Sequence, residues 1–98
     1  NAYAKAQGFS VVCEFGGHGI GFDFHEDPFV SHVSEPGTGM VLVPGLVFTI
    51  EPMVNAGEAP IDMSDPNGWT VHTADGSDTA QWEVQVAITE DGHELLSW

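Results

Sequence analysis

Residues 80–89 alternate without interruption. Trp82, Val84, Val86 and Ile88 fall on one face, and Gln81, Glu83, Gln85 and Ala87 on the other. A period of two is the geometry of a β-strand, so this stretch predicts a continuous strand. The Asp91-Gly92 turn after it predicts that residues 94–98 pair back as a last strand. Shorter apolar runs recur upstream. Residues 9–14 and 69–73 read as strands, and residues 46–51 as another, led in by a turn at 41–45 and closed by Pro52. Along the chain, 12 glycines and 6 prolines interrupt the pattern. Residues 16–21 are expected to form a backbone-exposed loop, residues 22–39 to stay regular only briefly, residues 56–67 to form an acidic loop, and residues 74–77 a turn. The one helical signal is residues 2–7, ended by Gly8. The expected fold class is therefore α+β, mainly antiparallel strands. A chain that opens in mid-helix is expected to be the tail of something longer.

At 98 residues there is room for one small core, not two. The expected organisation is a single unit over residues 1–98. With 42% hydrophobic residues the composition is that of a globular chain despite its charge. That charge is extreme: fifteen acids face one base, Lys5, for a formal net charge of −14. Such a surface repels phosphate backbones, which argues against nucleic acid and anionic membranes as partners. It suits cations, although a solvated surface tuned for solubility has the same composition. The single Cys13 excludes an internal disulfide and fits a reducing compartment. No apolar run approaches the ~18 residues of a membrane helix. The expectation is a soluble, cytoplasmic protein.

The chemistry concentrates in His18, between Gly17 and Gly19, in Glu51, between Ile50 and Pro52, and in Glu83, after Trp82. Glycines let the backbone approach closely and leave the imidazole as the only side-chain function at that point. A carboxylate closing an apolar strand is costly to bury unless it is paired, protonated or bound to metal. Each residue alone has an ordinary reading, as a loop histidine, a rim acid and a solvated acid. Together they suit Zn²⁺, Mn²⁺, Fe²⁺ or Co²⁺, whereas thiolate ligation finds no support in the isolated Cys13. A metal so held could activate water and polarise a carbonyl. A Gly-x-Ser-x-Gly elbow and a His-Glu-x-x-His motif are both absent. Gly17-x-Gly19-x-Gly21 is not a dinucleotide fingerprint, and Asp62 and Asp65 read as surface acids.

Five blocks then carry a resemblance. They are Gly17-His18-Gly19-Ile20-Gly21, Phe24-His25-Glu26-Asp27-Pro28, the run Pro44-Gly45-Leu46-Val47-Phe48-Thr49-Ile50-Glu51-Pro52-Met53-Val54, Gly68-Trp69-Thr70 and Ala80-Gln81-Trp82-Glu83. In this order they resemble the C-terminal half of the type I methionine aminopeptidases, metallopeptidases of the pita-bread or creatinase-like fold. The resemblance implies an enzyme that removes the initiator methionine from nascent proteins and peptides. It implies two divalent metal ions (Co, Mn, Fe or Zn), with His18, Glu51 and Glu83 as ligands and Glu83 bridging. Glu51 would also be the general base toward a metal-bridging water, and His25 would hydrogen-bond the substrate. Phe24 and Trp69 would line the methionine pocket. The partners implied are polypeptide N-termini beginning with methionine, and the complete enzyme would be a monomer.

Departures are also visible. The family uses two further aspartate ligands and another histidine from a half expected to precede Asn1, and no local acid matches their context. Val84 stands where many relatives carry histidine, and Leu46 where methionine is frequent. Prolidases and aminopeptidase P share the first and third blocks, while Gly68-Trp69-Thr70 and Gln81-Trp82-Glu83 favour the methionine enzymes. The alternative from another class is a non-catalytic half-module that binds metal weakly and serves as an interaction surface.

Overall fold

The computed structural model describes residues 1–97. Among these residues there are one short helix and ten short strands; the strands form three sheets, and every pairing is antiparallel. Helix α1 (Ala2–Ala6) ends as its sequence predicts: Gly8 takes φ +85°, its amide donates to the Lys5 carbonyl, and the Phe9 amide donates to Ala4. This pair of bonds closes a helix end where only glycine is free of strain.

The central sheet has five strands in the order β10 (His93–Ser97), β9 (Val84–Ile88), β4 (Val47–Ile50), β2 (Gly17–Gly19) and β3 (Glu26–Val30). A second sheet joins β1 (Ser10–Val11), β5 (Met53–Asn55) and β8 (Thr79–Gln81), and a small third pairs β6 (Ile61–Asp62) with β7 (His72–Thr73). The buried apolar residues lie in each of the first two sheets. Phe48 of β4 and Val86 of β9 are buried cross-strand partners, and Val11 and Val12 are buried at β1. These four are the buried apolar residues among those described. Tyr3, Phe22, Phe24, Trp69 and Trp82 are largely exposed.

Several sequence expectations change. Residues 16–21 are not an exposed loop: Gly17–Gly19 is strand β2, held between β3 and β4 with both glycines buried. A Cβ on Gly17 would run into the Thr49 carbonyl, and one on Gly19 into the Asp27 carbonyl. The glycines mark close backbone approach rather than loop freedom. The alternation over 80–89 is also divided. Residues 79–81 belong to β8 in one sheet and 84–88 to β9 in the other, with Trp82 and Glu83 at the crossing. The expected strands at 9–14 and 69–73 shrink to the two-residue β1 and β7, and the acidic loop contains the two-residue β6. Strand β4, its stop before Pro52, and the β9–β10 hairpin follow the reading, although Trp98 lies outside the described residues. No helix among the described residues is long and apolar enough to cross a membrane.

Candidate metal centre

Register builds the site. Strand β4 pairs with β9 as Phe48↔Val86, Thr49↔Gln85 and Ile50↔Val84, so one further step sets Glu51 opposite Glu83. On the other edge of β4, Gly19 is opposite Phe48, which brings His18 beside Thr49. Directly opposed residues share a face and faces alternate along a strand. His18, Thr49, Gln85, Glu51 and Glu83 therefore emerge on one side of the sheet, while Phe48 and Val86 turn to the other. Three short strands thus deliver three candidate ligands to one place.

The distances agree. His18 Nε2 stands 3.9 Å from Glu51 Oε2 and 3.8 Å from Glu83 Oε1. One donor atom from each of the three residues lies within 4.8 Å of the others. The His18 and Glu51 side chains keep only 13% and 18% of their exposure, whereas Glu83 keeps 48%, so the cluster sits at a mouth rather than inside a core. Burial pushes the Glu51 carboxyl up to about 7, aided by a hydrogen bond and charge repulsion from Glu83 and opposed by the nearby His18. Two carboxylates held this close to an imidazole, with no lysine or arginine ion pair to either among the described residues, form a donor set for a divalent cation. Such a cation would satisfy both acids at once, and the donor set fits the metal implied by the sequence.

Backbone anchoring fixes the ligands. The His18 amide donates to Thr49 Oγ1 at 3.0 Å, and Thr49 is itself buried. His18 Nδ1 lies 3.0 Å from the Gly19 carbonyl, which leaves Nε2 facing the carboxylates. The Glu51 amide donates to His32 Nε2 at 3.2 Å, and its carbonyl accepts from Gln81 Nε2 at 3.0 Å. Burial lowers the pKa of His32, in keeping with a neutral ring that accepts this bond. Sequence reasoning missed both His32 and Gln81 as parts of the site. A histidine two residues beyond the end of β3 gives no periodic or motif signal, and Gln81, read as a strand-face residue inside a family block, was given no role of its own.

Of the remaining sequence-predicted residues, His25 and Phe24 join the cluster. The His25 ring lies 4.2 Å from that of His18, Phe24 stands 6.0 Å from His18, and Phe24 and His25 meet edge to face at 4.6 Å. Trp69 is placed apart. It lines a pocket of about 250 Å³ with Phe15, Met63, Thr70 and Val71, and among the described residues it stacks on neither Phe24 nor His18. Asp65 holds His72 at 2.9 Å, and neither Asp62 nor Asp65 reaches the cluster, in line with their reading as surface acids.

Comparison with known proteins decides the family. The model of metallopeptidase family M24 matches residues 1–90. The chain belongs to this family. Among curated M24 relatives, the methionine aminopeptidase of Salmonella typhimurium is 53% identical over 96 residues, covering 97% of this chain and 36% of that protein. The Escherichia coli enzyme of the same name is 52% identical with the same coverage. Solved structures agree. Methionine aminopeptidase from Rickettsia prowazekii superposes with TM-score 0.92 at 44% identity, over 96% of this chain and 38% of that one. The Thermotoga maritima enzyme gives 0.89 at 42%, over 95% and 37%. The M24 chain thus has the fold of part of the pita-bread architecture implied by its sequence blocks. It spans little more than a third of the length of the relatives it matches.

Proposed function

We propose that the native polypeptide containing this chain is a metal-dependent methionine aminopeptidase, which removes the initiator methionine from nascent proteins and peptides. The observation that carries the reading is the convergence of His18, Glu51 and Glu83 on one sheet face, in a member of a metallopeptidase family. The similarity to methionine aminopeptidases at about half of all positions favours this substrate over those of prolidase or aminopeptidase P. Residues 1–98 would be the C-terminal part of one catalytic domain in a monomeric, cytoplasmic enzyme.

In this reading His18, Glu51 and Glu83 would hold divalent metal, as part of a site that would take two ions when complete. The candidates are Co²⁺, Mn²⁺, Fe²⁺ and Zn²⁺, all compatible with imidazole and carboxylate donors. Bound metal supplies Lewis-acid polarisation of the scissile carbonyl and lowers the pKa of water. The protein residues do the rest. Glu51, beside Glu83 and His18, is placed to take a proton from the attacking water and return it to the leaving amine, the role its sequence correspondence implies. His25, packed against His18, is placed to hydrogen-bond the substrate near the scissile amide. Phe24, edge-on to His25, offers an apolar aromatic surface for a thioether side chain. Trp69 is proposed as a further wall of that pocket on sequence correspondence.

The test is release of free methionine from a peptide beginning with methionine. The native polypeptide should release it, and a chelator should abolish release until metal is restored. Release that persists after complete metal removal would refute the reading.

A further inference from the structure

Glu51 is held by its main chain on both sides of Cα. Its amide donates to His32 Nε2 at 3.2 Å and its carbonyl accepts from Gln81 Nε2 at 3.0 Å. Those groups belong to the two peptide planes that flank Cα, so the two bonds together fix φ and ψ and hence the direction in which Cβ leaves the chain. The sheet does not do this job. The β4–β9 ladder ends at Ile50↔Val84, and Pro52 has no amide with which to resume it. His32 comes from beyond the far end of β3, two strands away in the order β4-β2-β3, and reaches past β2 to take up the Glu51 amide.

We propose that His32 is a positioning residue for the metal centre: its Nε2 lone pair, by holding the Glu51 amide, aims the Glu51 carboxylate at His18 and Glu83. The proposal rests on the reading of these three residues as metal ligands. The bond requires a bare Nε2, so the proton of the neutral ring is on Nδ1. His32 is not one of the three clustered donors, and its proposed effect runs through its bond to Glu51. What the site needs at position 32 is an acceptor at the reach of Nε2. Glutamine can place its carbonyl oxygen there; asparagine is too short, and leucine fills space without an acceptor.

The experiment uses the native polypeptide with His32 kept or replaced by Gln, Asn or Leu. Three quantities are read: Mn²⁺ affinity by calorimetry, kcat and KM on a methionine-initial peptide, and thermal unfolding without metal. His32→Leu and His32→Asn should weaken Mn²⁺ binding by roughly tenfold to a hundredfold, the usual effect of removing a partner that orients a ligand. Both should lower kcat more than they raise KM. His32→Gln should recover affinity and kcat to within about threefold of wild type. Should His32→Leu fail to fold, the contrast between Asn and Gln decides alone. Equal losses in Gln and Asn would overturn the proposal, because the ring's packing would then matter rather than its acceptor; so would wild-type Mn²⁺ affinity in His32→Asn. A wild-type protein that binds no Mn²⁺ overturns the metal-centre reading together with the proposal, whereas wild-type binding unaffected by the variants overturns the proposal alone.

Discussion

His18 Nε2 and Glu83 Oε1 meet at 3.8 Å although their strands are not neighbours: β4 runs between β2 and β9. The meeting is possible because β2 is glycine on either side of His18 and packs tightly on β4, and because the chain changes sheets at Trp82 and Glu83. The register that sets Glu83 opposite Glu51 puts its carboxylate on the face that His18 and Glu51 share.

Replacing Glu51 by Gln in the native polypeptide removes both a proposed metal ligand and the proposed proton acceptor while keeping shape. Steady-state assays should show a loss of at least about a hundredfold in kcat, the lower range for a missing general base. Circular dichroism should remain that of wild type. Near-normal turnover would remove Glu51 from both roles.

The raised Glu51 pKa has a sign that can be checked on metal-free protein. Its folded value, about 7, lies above the ordinary 4.5. The stabilising contribution of its protonated form is thus fully present below about 4.5 and is lost as pH rises through about 7. Denaturant titrations across this window should find wild type losing stability relative to Glu51→Gln as pH increases. A pH-independent difference between the two would contradict the shift.

Metal affinity should follow the same protonation in the opposite direction. A cation must displace the Glu51 proton, so binding should weaken as pH falls below about 7 and release a proton on binding near that pH. Calorimetry in buffers of different ionisation enthalpy counts that proton directly. Affinity independent of pH between 5 and 7 would be the opposing result.

Gly17→Ala tests the packing that carries His18. The new methyl would collide with the Thr49 carbonyl of β4, a backbone atom that cannot swing aside. Destabilisation should be at least about 1–3 kcal/mol, the range for overpacking, read as a lower denaturation midpoint. Wild-type stability would show that β2 and β4 are not so closely apposed.

Trp69→Ala should raise KM or weaken preference for methionine over other N-terminal residues. Competition assays with paired peptides report this directly. Unchanged selectivity would leave Trp69 in its own pocket with Phe15 and Met63, away from Phe24.

Much of this was legible because short strands write their period directly into sequence. The alternation around Val84, Val86 and Ile88 located β9, and Pro52 located the end of β4. The three candidate ligands stood out because each is a polar residue among apolar, glycine or proline neighbours. What sequence did not yield is relational. Gly17 and Gly19 looked like loop residues because nothing local distinguishes a glycine needed for flexibility from one needed for close approach to another strand. The break at Trp82 and Glu83 was hidden because both halves keep the same alternation while belonging to different sheets. His32 was invisible since its role depends on reaching a main-chain amide set by register, not on neighbours in its own segment.

The most direct measurement is anomalous diffraction at the manganese edge from crystals of the native polypeptide grown with Mn²⁺. The account predicts a peak within coordination distance of His18 Nε2 and of the carboxylates of Glu51 and Glu83. Manganese bound elsewhere, with these three side chains free of it, would contradict the assignment of the metal centre.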